Sequence, residues 1–172
     1  MPVNKRDEAR WALIEPHVEL HGKTILDVGC GMGDVLMRCC LVGAKLVHGV
    51  DHDNMVVAAV TERLAGCPGV SIFEHDVQQF LSRSRRKYDV GFCLSVLPYV
   101  SMEKVLDLLR RRVRMAFVEC QYQGDGPAAT VRDDEEMASI LEATKWASVE
   151  RLGTVPVAIR RAERTVWLCL SD

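Results

Sequence analysis

The chain has 172 residues, of which 48% are hydrophobic and 27% charged, and its formal net charge is −2. This length fits one domain and leaves no room for a separate substrate-recognition domain. The near-neutral charge excludes a strongly basic nucleic-acid-binding protein. No apolar run approaches the ~18 residues that a membrane span needs, and no apolar signal segment follows the first residues. We therefore expect no membrane association.

The seven cysteines are odd in number and contain no C-x-x-C pair. This arrangement indicates neither a disulfide framework nor a zinc site, and no His, Asp and Glu pattern suggests another metal. Most of the cysteines lie in apolar strings, as Cys93 and Cys169 do. The sequence therefore predicts reduced, buried thiols, no bound metal and a cytoplasmic location.

Hydrophobic periodicity predicts strands and helices in alternation. In chain order these are a helix over 5–20 interrupted near Pro16, strand 24–28, helix 34–42, strand 45–50, a helix from Asp53 or Asn54 to residue 65, strand 70–73, a short helix opened by Asp76, strand 88–94, a helix over 101–112 capped by Ser101, strand 115–120, a helix whose first turn is 133–136, and strands 146–157 and 164–170. The pattern predicts an α/β fold with a doubly wound, mostly parallel seven-stranded sheet, helices on both faces and the last strand antiparallel.

A glycine-rich loop over residues 27–34 joins the first strand to the next helix. Its glycines allow a sharp turn and a close approach of the backbone to a ligand, and the helix N-terminus offers free N–H groups. The loop has G-x-G-x-G spacing rather than the dinucleotide G-x-G-x-x-G pattern. Asp27 precedes the loop, where a carboxylate repels a pyrophosphate but pairs with an ammonium group.

Two more carboxylates follow the next two strands. Asp51 comes 20 residues after Gly31, where an acid accepts hydrogen bonds from ribose hydroxyls. Asp76 follows the third strand, where an acid accepts from an exocyclic adenine amine. Side chains that suit an ammonium, a ribose and an adenine together fit S-adenosylmethionine (SAM) better than they fit a nicotinamide dinucleotide.

With these motifs in this order, the chain resembles the class I (seven-stranded, Rossmann-like) SAM-dependent methyltransferases over essentially its whole length. The resemblance implies that residues 1–22 form an N-terminal helix that packs over the cofactor site and that residues 23–172 form the methyltransferase domain, in a single domain overall. Residues 11–16 and 22–27 also look similar to methyltransferases of tRNA wobble-uridine modification. The cofactor-binding residues that the resemblance implies are Asp27, Gly29, Cys30, Gly31, Gly33, Asp51, His52, Asp76, Val77, Leu94 and Ser95.

The segment after the fourth strand is expected to meet the methyl acceptor. Amino-methyltransferases carry there an Asp, Asn or Ser, a small apolar residue, two prolines and an aromatic residue. Ser95, Pro98 and Tyr99 match that pattern, but Leu97 stands in place of the first proline, which weakens an amine assignment. Tyr99 is a candidate catalytic residue that packs on a flat substrate, or it merely covers SAM.

Further candidates follow the fifth strand and lie near the chain end. Asp125 is a candidate general base, although Gly-Asp-Gly is also ordinary turn chemistry. Tyr122 is a candidate substrate-binding residue. The turn that carries Arg160, Arg161 and Arg164 joins the last two strands on the cofactor side, and we expect it to help bind an anionic or nucleotide-like acceptor.

The longer basic runs, residues 83–87 and 110–114, precede strands and therefore lie at the edge opposite the cofactor. They are interpreted as solvated helix ends rather than as an RNA footprint.

The sequence therefore predicts a SAM-dependent methyltransferase that acts on an oxygen or nitrogen atom, with a small molecule as the acceptor. One alternative is an RNA or nucleotide methyltransferase that uses the arginine turn. A second alternative is a catalytically silent SAM-binding partner subunit. A nicotinamide-linked reductase is disfavoured by the glycine spacing and by Asp27.

Overall fold

A computed structural model describes residues 5–123, 130–157 and 162–172 of the chain. The seven strands form one sheet in the order β3-β2-β1-β4-β5-β7-β6. Their bounds are β1 (Thr24–Val28), β2 (Leu46–Asp51), β3 (Val70–Glu74), β4 (Tyr88–Leu94), β5 (Val113–Cys120), β6 (Ser148–Val157) and β7 (Ala162–Leu170).

The strand directions confirm the predicted topology. The pairs β1–β2, β1–β4, β2–β3 and β4–β5 are parallel, whereas β7 runs antiparallel to both of its neighbours, β5 and β6. Strands β1 to β5 therefore end at the same edge of the sheet, with the strand order reversing beside β1. Ligands of such sheets bind outside the carboxyl ends of the strands, at this reversal.

Six helices accompany the sheet in the described residues: α1 (Lys5–Ile14), α2 (Asp34–Leu41), α3 (Asn54–Arg63), α4 (Val77–Arg83), α5 (Met102–Arg110) and α6 (Asp134–Ala143). The prediction of a first helix that continues to residue 20 is wrong. Helix α1 ends at Ile14, a 3₁₀ turn covers Glu15–His17, and Val18 is extended. Pro16 explains the end of the helix, because it has no N–H and its ring clashes with the preceding turn.

Aspartates set three of the helix starts. Asp53 accepts hydrogen bonds from the N–H groups of Met55 and Val56, and Asp76 and Asp133 each accept one from the residue three positions on. These carboxylates satisfy N–H groups that have no partner inside the helix. Ser101 occupies the predicted N-cap of α5, but its side chain makes no capping hydrogen bond.

The sheet separates two hydrophobic cores. On one face, α1, α2 and α3 pack through residues such as Trp11, Leu36 and Val60. On the other face, α4, α5 and α6 pack through residues such as Leu81 and Leu106. Helices therefore cover both faces, as predicted. Among the described residues, no helix combines the length and the hydrophobicity needed to cross a bilayer.

Candidate functional site

Two cavities lie at the carboxyl ends of the strands, and Gly29 and Ser95 line both of them. The first has a volume of about 560 Å³ and is lined by Gly29, Asp51, His52, Asp76, Val77, Ser95, Val96, Tyr99 and Val100. The second has a volume of about 370 Å³ and is lined by Arg6, Asp7, Arg10, Asp27, residues 29–32, Asp34, Val35, Leu94 and Ser95. These volumes are in the range of small-molecule sites, about 300–1,000 Å³.

The glycine loop after β1 has left-handed backbone conformations at three positions. Gly29, Gly31 and Gly33 have φ angles of 71°, 47° and 78°. A Cβ on Gly29 would lie 2.6 Å from Cγ2 of Val96, whereas a Cβ on Gly31 would meet no atom within 4 Å. Gly31 therefore borders open space in the second cavity. Gly33 lies outside both cavity linings, at the N-cap of α2.

Asp51 holds this loop through its carboxylate. Its Oδ2 atom accepts from the N–H of Gly31 at 3.0 Å, and its Oδ1 atom accepts from the N–H of Asp53 at 3.2 Å. The Nδ1 atom of His52 lies 3.4 Å from Asp51 Oδ1, and the His52 side chain is 81% exposed at the cavity rim. Since a carboxylate has about four acceptor sites, Asp51 retains capacity for ligand hydroxyls.

Asp27, one residue before the end of β1, is almost completely buried, with 2% of its surface exposed. Burial raises the pKa of its carboxyl to about 7; Arg10 acts to lower that pKa and Asp51 to raise it. Within the described ranges, no hydrogen bond to the carboxylate of Asp27 is found. A ligand cation in the second cavity would stabilise the ionised form of this carboxylate.

The first cavity combines a carboxylate with apolar walls. Asp76 is exposed while its Oδ1 atom accepts from the N–H of Gln79 at 2.9 Å, and Val77 beside it is buried. Tyr99 lies in the 3₁₀ turn Leu97–Tyr99 and is 72% exposed. Such a cavity suits a flat heterocycle that has an exocyclic donor at its edge.

A buried ion-pair network that no sequence motif indicates lies beside the second cavity. Glu119, at the end of β5, is paired with Arg6 and with Arg10, whose Nε atom donates to Oε2 at 2.8 Å. Arg164 of β7 lies 3.4 Å from Oε1 of Glu119. Burial alone raises the pKa of Glu119, but Arg10 and Arg6 outweigh burial and hold this pKa below its usual value.

Ser95 connects this network to both cavities. Its Oγ atom donates to Glu119 Oε1 at 2.6 Å and accepts from Arg6 at 2.5 Å and from Arg164 at 3.1 Å. Its backbone has a φ angle of 67°, which is uncommon for a residue with a Cβ. Leu94 before it is buried and lines the second cavity. The spacing of Arg6 and Arg10 on one helix could have suggested a shared target, but nothing local identifies Glu119.

Several predicted residues are not at the cavities. Tyr122 is described but lines neither of them; its hydroxyl donates to Asp134 at the start of α6. Arg164 is buried in the Glu119 network rather than exposed in a turn. Asp125, Arg160 and Arg161 lie outside the described residues. In the part of the chain that the structure describes, no three His, Cys, Asp or Glu side chains are grouped to hold a metal ion.

The sequence matches a known protein family and several characterised relatives. The model of the family described as "Methyltransferase domain" matches residues 25–116. The tRNA U34 carboxymethyltransferase of Pseudomonas aeruginosa is 27% identical over 135 residues, which cover 75% of this chain and 42% of that protein. The enzyme of the same name from Stutzerimonas stutzeri is 50% identical over 46 residues, 27% of this chain and 14% of that protein. The chain therefore spans less than half the length of these relatives.

Solved structures share the fold. Magnesium protoporphyrin IX methyltransferase from Synechocystis PCC 6803 with bound SAM superposes with a TM-score of 0.76 at 20% identity, over 97% of this chain and 78% of that one. The bifunctional kinase-methyltransferase WbdD superposes with a TM-score of 0.82 at 15% identity, over 95% of this chain and 39% of that one. Because the family model covers more than half of the sequence and the strand order agrees, the chain belongs to the class I, SAM-dependent methyltransferases.

Proposed function

We propose that this methyltransferase transfers a methyl group to an oxygen or nitrogen atom of a small-molecule acceptor. The observation that carries the proposal is that the two cavities meet at Gly29 and Ser95. One elongated ligand that crosses both cavities would have its middle beside these two residues. The acceptor would then approach at this junction.

The side chains in the cavities fit the chemistry of SAM. The open space at Gly31 admits a ligand against the backbone, and Asp51 would accept from ribose hydroxyls. Asp76 and Val77 would hold the adenine. Asp27 would pair with the ammonium group of the methionine end, and Arg10 in the same cavity suits its carboxylate.

We further propose that the protein contributes mainly alignment. When bound, SAM supplies an activated methyl group for an in-line displacement. Such a step needs the acceptor atom and the methyl carbon to be held in line, and well-oriented reactants gain about 7–11 kcal/mol from this. Tyr99, exposed at the rim of the first cavity, would pack on a flat acceptor. The role of Asp125 as a general base remains a prediction from the sequence.

The charge beside the junction favours an acceptor that has an anionic group. Arg6, Arg10 and Arg164 converge on Ser95 and Glu119, and guanidinium groups recognise carboxylates and phosphates through paired hydrogen bonds. That Arg160 and Arg161, which precede Arg164 in the sequence, help bind such an acceptor stays a prediction from the sequence.

A second candidate function is methylation of RNA. It is supported by the Pseudomonas aeruginosa relative that is named tRNA U34 carboxymethyltransferase, which matches three quarters of this chain. A cytoplasmic location accords with both candidates, and the free thiols of all seven cysteines support it.

The experiment is to incubate the protein with methyl-labelled SAM and cell extract separated into metabolites, RNA and protein. We expect label in the metabolite fraction. Label in RNA alone would replace this proposal with the second candidate. Label in no fraction, with SAM bound in a separate binding assay, would indicate a silent SAM-binding subunit.

A further inference from the structure

We propose that a cleft at the opposite edge of the sheet binds the phosphate groups of an anionic ligand. This phosphate cleft has a volume of about 410 Å³ and is lined by Lys87, Tyr88, residues 110–114, Ser171 and Asp172. It lies at the amino ends of β4 and β5, so about 20 Å of sheet separates it from the cofactor cavities, since β4 has seven residues at about 3.3 Å each. The proposal does not depend on which acceptor is methylated.

The cations of the cleft come from distant parts of the chain and are held in place. The Nζ atom of Lys87 donates to the carbonyl oxygen of Arg111 at 2.5 Å, and the Nε atom of Arg112 donates to the carbonyl oxygen of Leu81 at 3.1 Å. The first bond joins the residue before β4 to the end of α5, and the second joins the end of α4 to the residue before β5. Because a guanidinium has five N–H donors, Arg112 retains donors for a ligand.

Positive charge exceeds negative charge in the cleft. Five cationic side chains line it, and Asp172 is the carboxylate in the described lining. Asp107 pairs with Arg110 at 3.4 Å and with Arg111 at 2.7 Å, and Asp89 lies within electrostatic range of Arg114. The Nε atom of Arg110 is buried and, among the described atoms, meets no acceptor. Like charges gathered in this way repel one another, and a bound anion would relieve the repulsion.

Because four of the five cationic side chains in the cleft are arginines, the ligand group is better matched by phosphate than by a single carboxylate. Four arginines around one concave surface offer forked donors to several oxygens at once. Tyr88 is buried, so the described lining offers no exposed ring on which a base could stack. The ligand would therefore be recognised through its phosphates, either as a free polyphosphate or as the phosphodiester backbone of RNA.

The test compares two probes on the intact chain. Tripolyphosphate is titrated by calorimetry, and a labelled single-stranded RNA of mixed sequence is followed by fluorescence anisotropy. The cleft variant carries Arg111→Gln and Arg114→Gln, both at exposed residues. The control variant carries Lys104→Gln and Arg132→Gln, which remove the same charge from exposed positions outside the cleft.

We expect the wild type and the control variant to bind at least one probe and the cleft variant to bind it at least about tenfold more weakly. SAM binding and the melting temperature should be the same in all three proteins, which shows that the cleft variant is folded. If the protein binds tripolyphosphate, the ligand of the cleft is a free polyphosphate. If it binds only the RNA, and this binding weakens steeply with salt, the ligand is the phosphodiester backbone of RNA. If neither probe saturates the wild type, or if the control variant loses as much affinity as the cleft variant, the proposal is wrong.

Discussion

Two glycines of the loop after β1 both have left-handed backbones, but a side chain at each would meet different surroundings. At Gly29 a side chain would collide with Val96, so the residue must be small for the loop to pack. At Gly31 no neighbour lies within 4 Å of the position of a Cβ, so a side chain there would enter space that a ligand can use. We therefore expect a side chain at Gly29 to disturb the packing of the loop and a side chain at Gly31 to obstruct a ligand.

Gly31→Ala should weaken SAM binding roughly 5- to 150-fold, because a methyl group in a fitted pocket costs about 1–3 kcal/mol. The matched control is Gly22→Ala, which has a φ angle of 71° and also meets no atom within 4 Å, far from the cavities. Both changes should cost about 1 kcal/mol of stability through backbone strain. Calorimetric titration with SAM checks the prediction, and equal affinities of the two variants would contradict it.

Because of Asp27, the free energy of unfolding should decrease as pH rises, whereas an acid that is paired with a cation makes it increase. Burial raises its pKa to about 7 in the folded chain, so folding takes up a proton between about pH 4 and 7. The contribution to stability is complete below the unfolded pKa and is lost as pH rises through 7. Between pH 5 and pH 8, the unfolding free energy of the wild type should therefore fall relative to that of Asp27→Asn.

Urea unfolding of both proteins at several pH values measures this difference. Because the ammonium group of SAM would favour the ionised carboxylate, SAM affinity of the wild type should rise over the same interval, while that of Asp27→Asn should stay flat. A wild type whose stability relative to the variant does not change with pH would show that Asp27 ionises normally.

Helix α1 is attached to the sheet by charge as well as by apolar contact. Trp11 packs edge-on against Phe92 at 5.7 Å between ring centroids, while Arg6 and Arg10 reach Glu119. Since these arginines line the second cavity, we propose that helix α1 covers the methionine end of the cofactor. The helix is then part of the site and not an appendage.

Glu119→Gln should destabilise the protein by about 3–5 kcal/mol, because it removes the buried carboxylate that Arg6, Arg10 and Arg164 share. Glu15→Gln is the control: it also removes a carboxylate paired with an arginine, but Glu15 is exposed, and such a pair is worth about 0–1 kcal/mol. Denaturant unfolding gives both values. Similar losses in the two variants would mean that the Glu119 network does not hold α1.

The whole molecule contains two cores that share one sheet. Trp11 lies in one core, and Trp146 and Trp167 lie in the other. Because both cores contain residues of the same strands, such as β1 and β4, the loss of either core exposes the sheet. The described residues should therefore unfold together rather than in two steps.

A Trp146→Phe, Trp167→Phe variant keeps Trp11 as its one tryptophan and makes this testable. The two buried indole N–H groups have no hydrogen-bond partner among the described atoms, so their removal should be tolerated. The urea midpoint from Trp11 fluorescence should equal that from far-ultraviolet circular dichroism. An earlier fluorescence transition would make residues 1–22 a separate unit.

Local patterns determined much of the fold. Strands β1 and β4 have the predicted bounds. Helices α3 and α4 begin at the predicted caps Asp53 and Asp76, and α2 begins directly after the glycine loop. These signals are reliable because caps and left-handed glycines act within a few residues. The prediction failed where local signals compete: Pro16 ended α1 instead of only interrupting it.

The sequence by itself therefore determined the order of the strands along the chain, the loop with its three glycines and the acids at the strand ends. Only the tertiary structure decided that Arg6 and Arg10 meet Glu119, that Arg164 is buried there, and that Lys87 meets residues 110–114 in a cleft. The physical reason is distance along the chain: periodicity and caps act over one or two turns, whereas these charges are neighbours only after the two faces of the sheet have been packed.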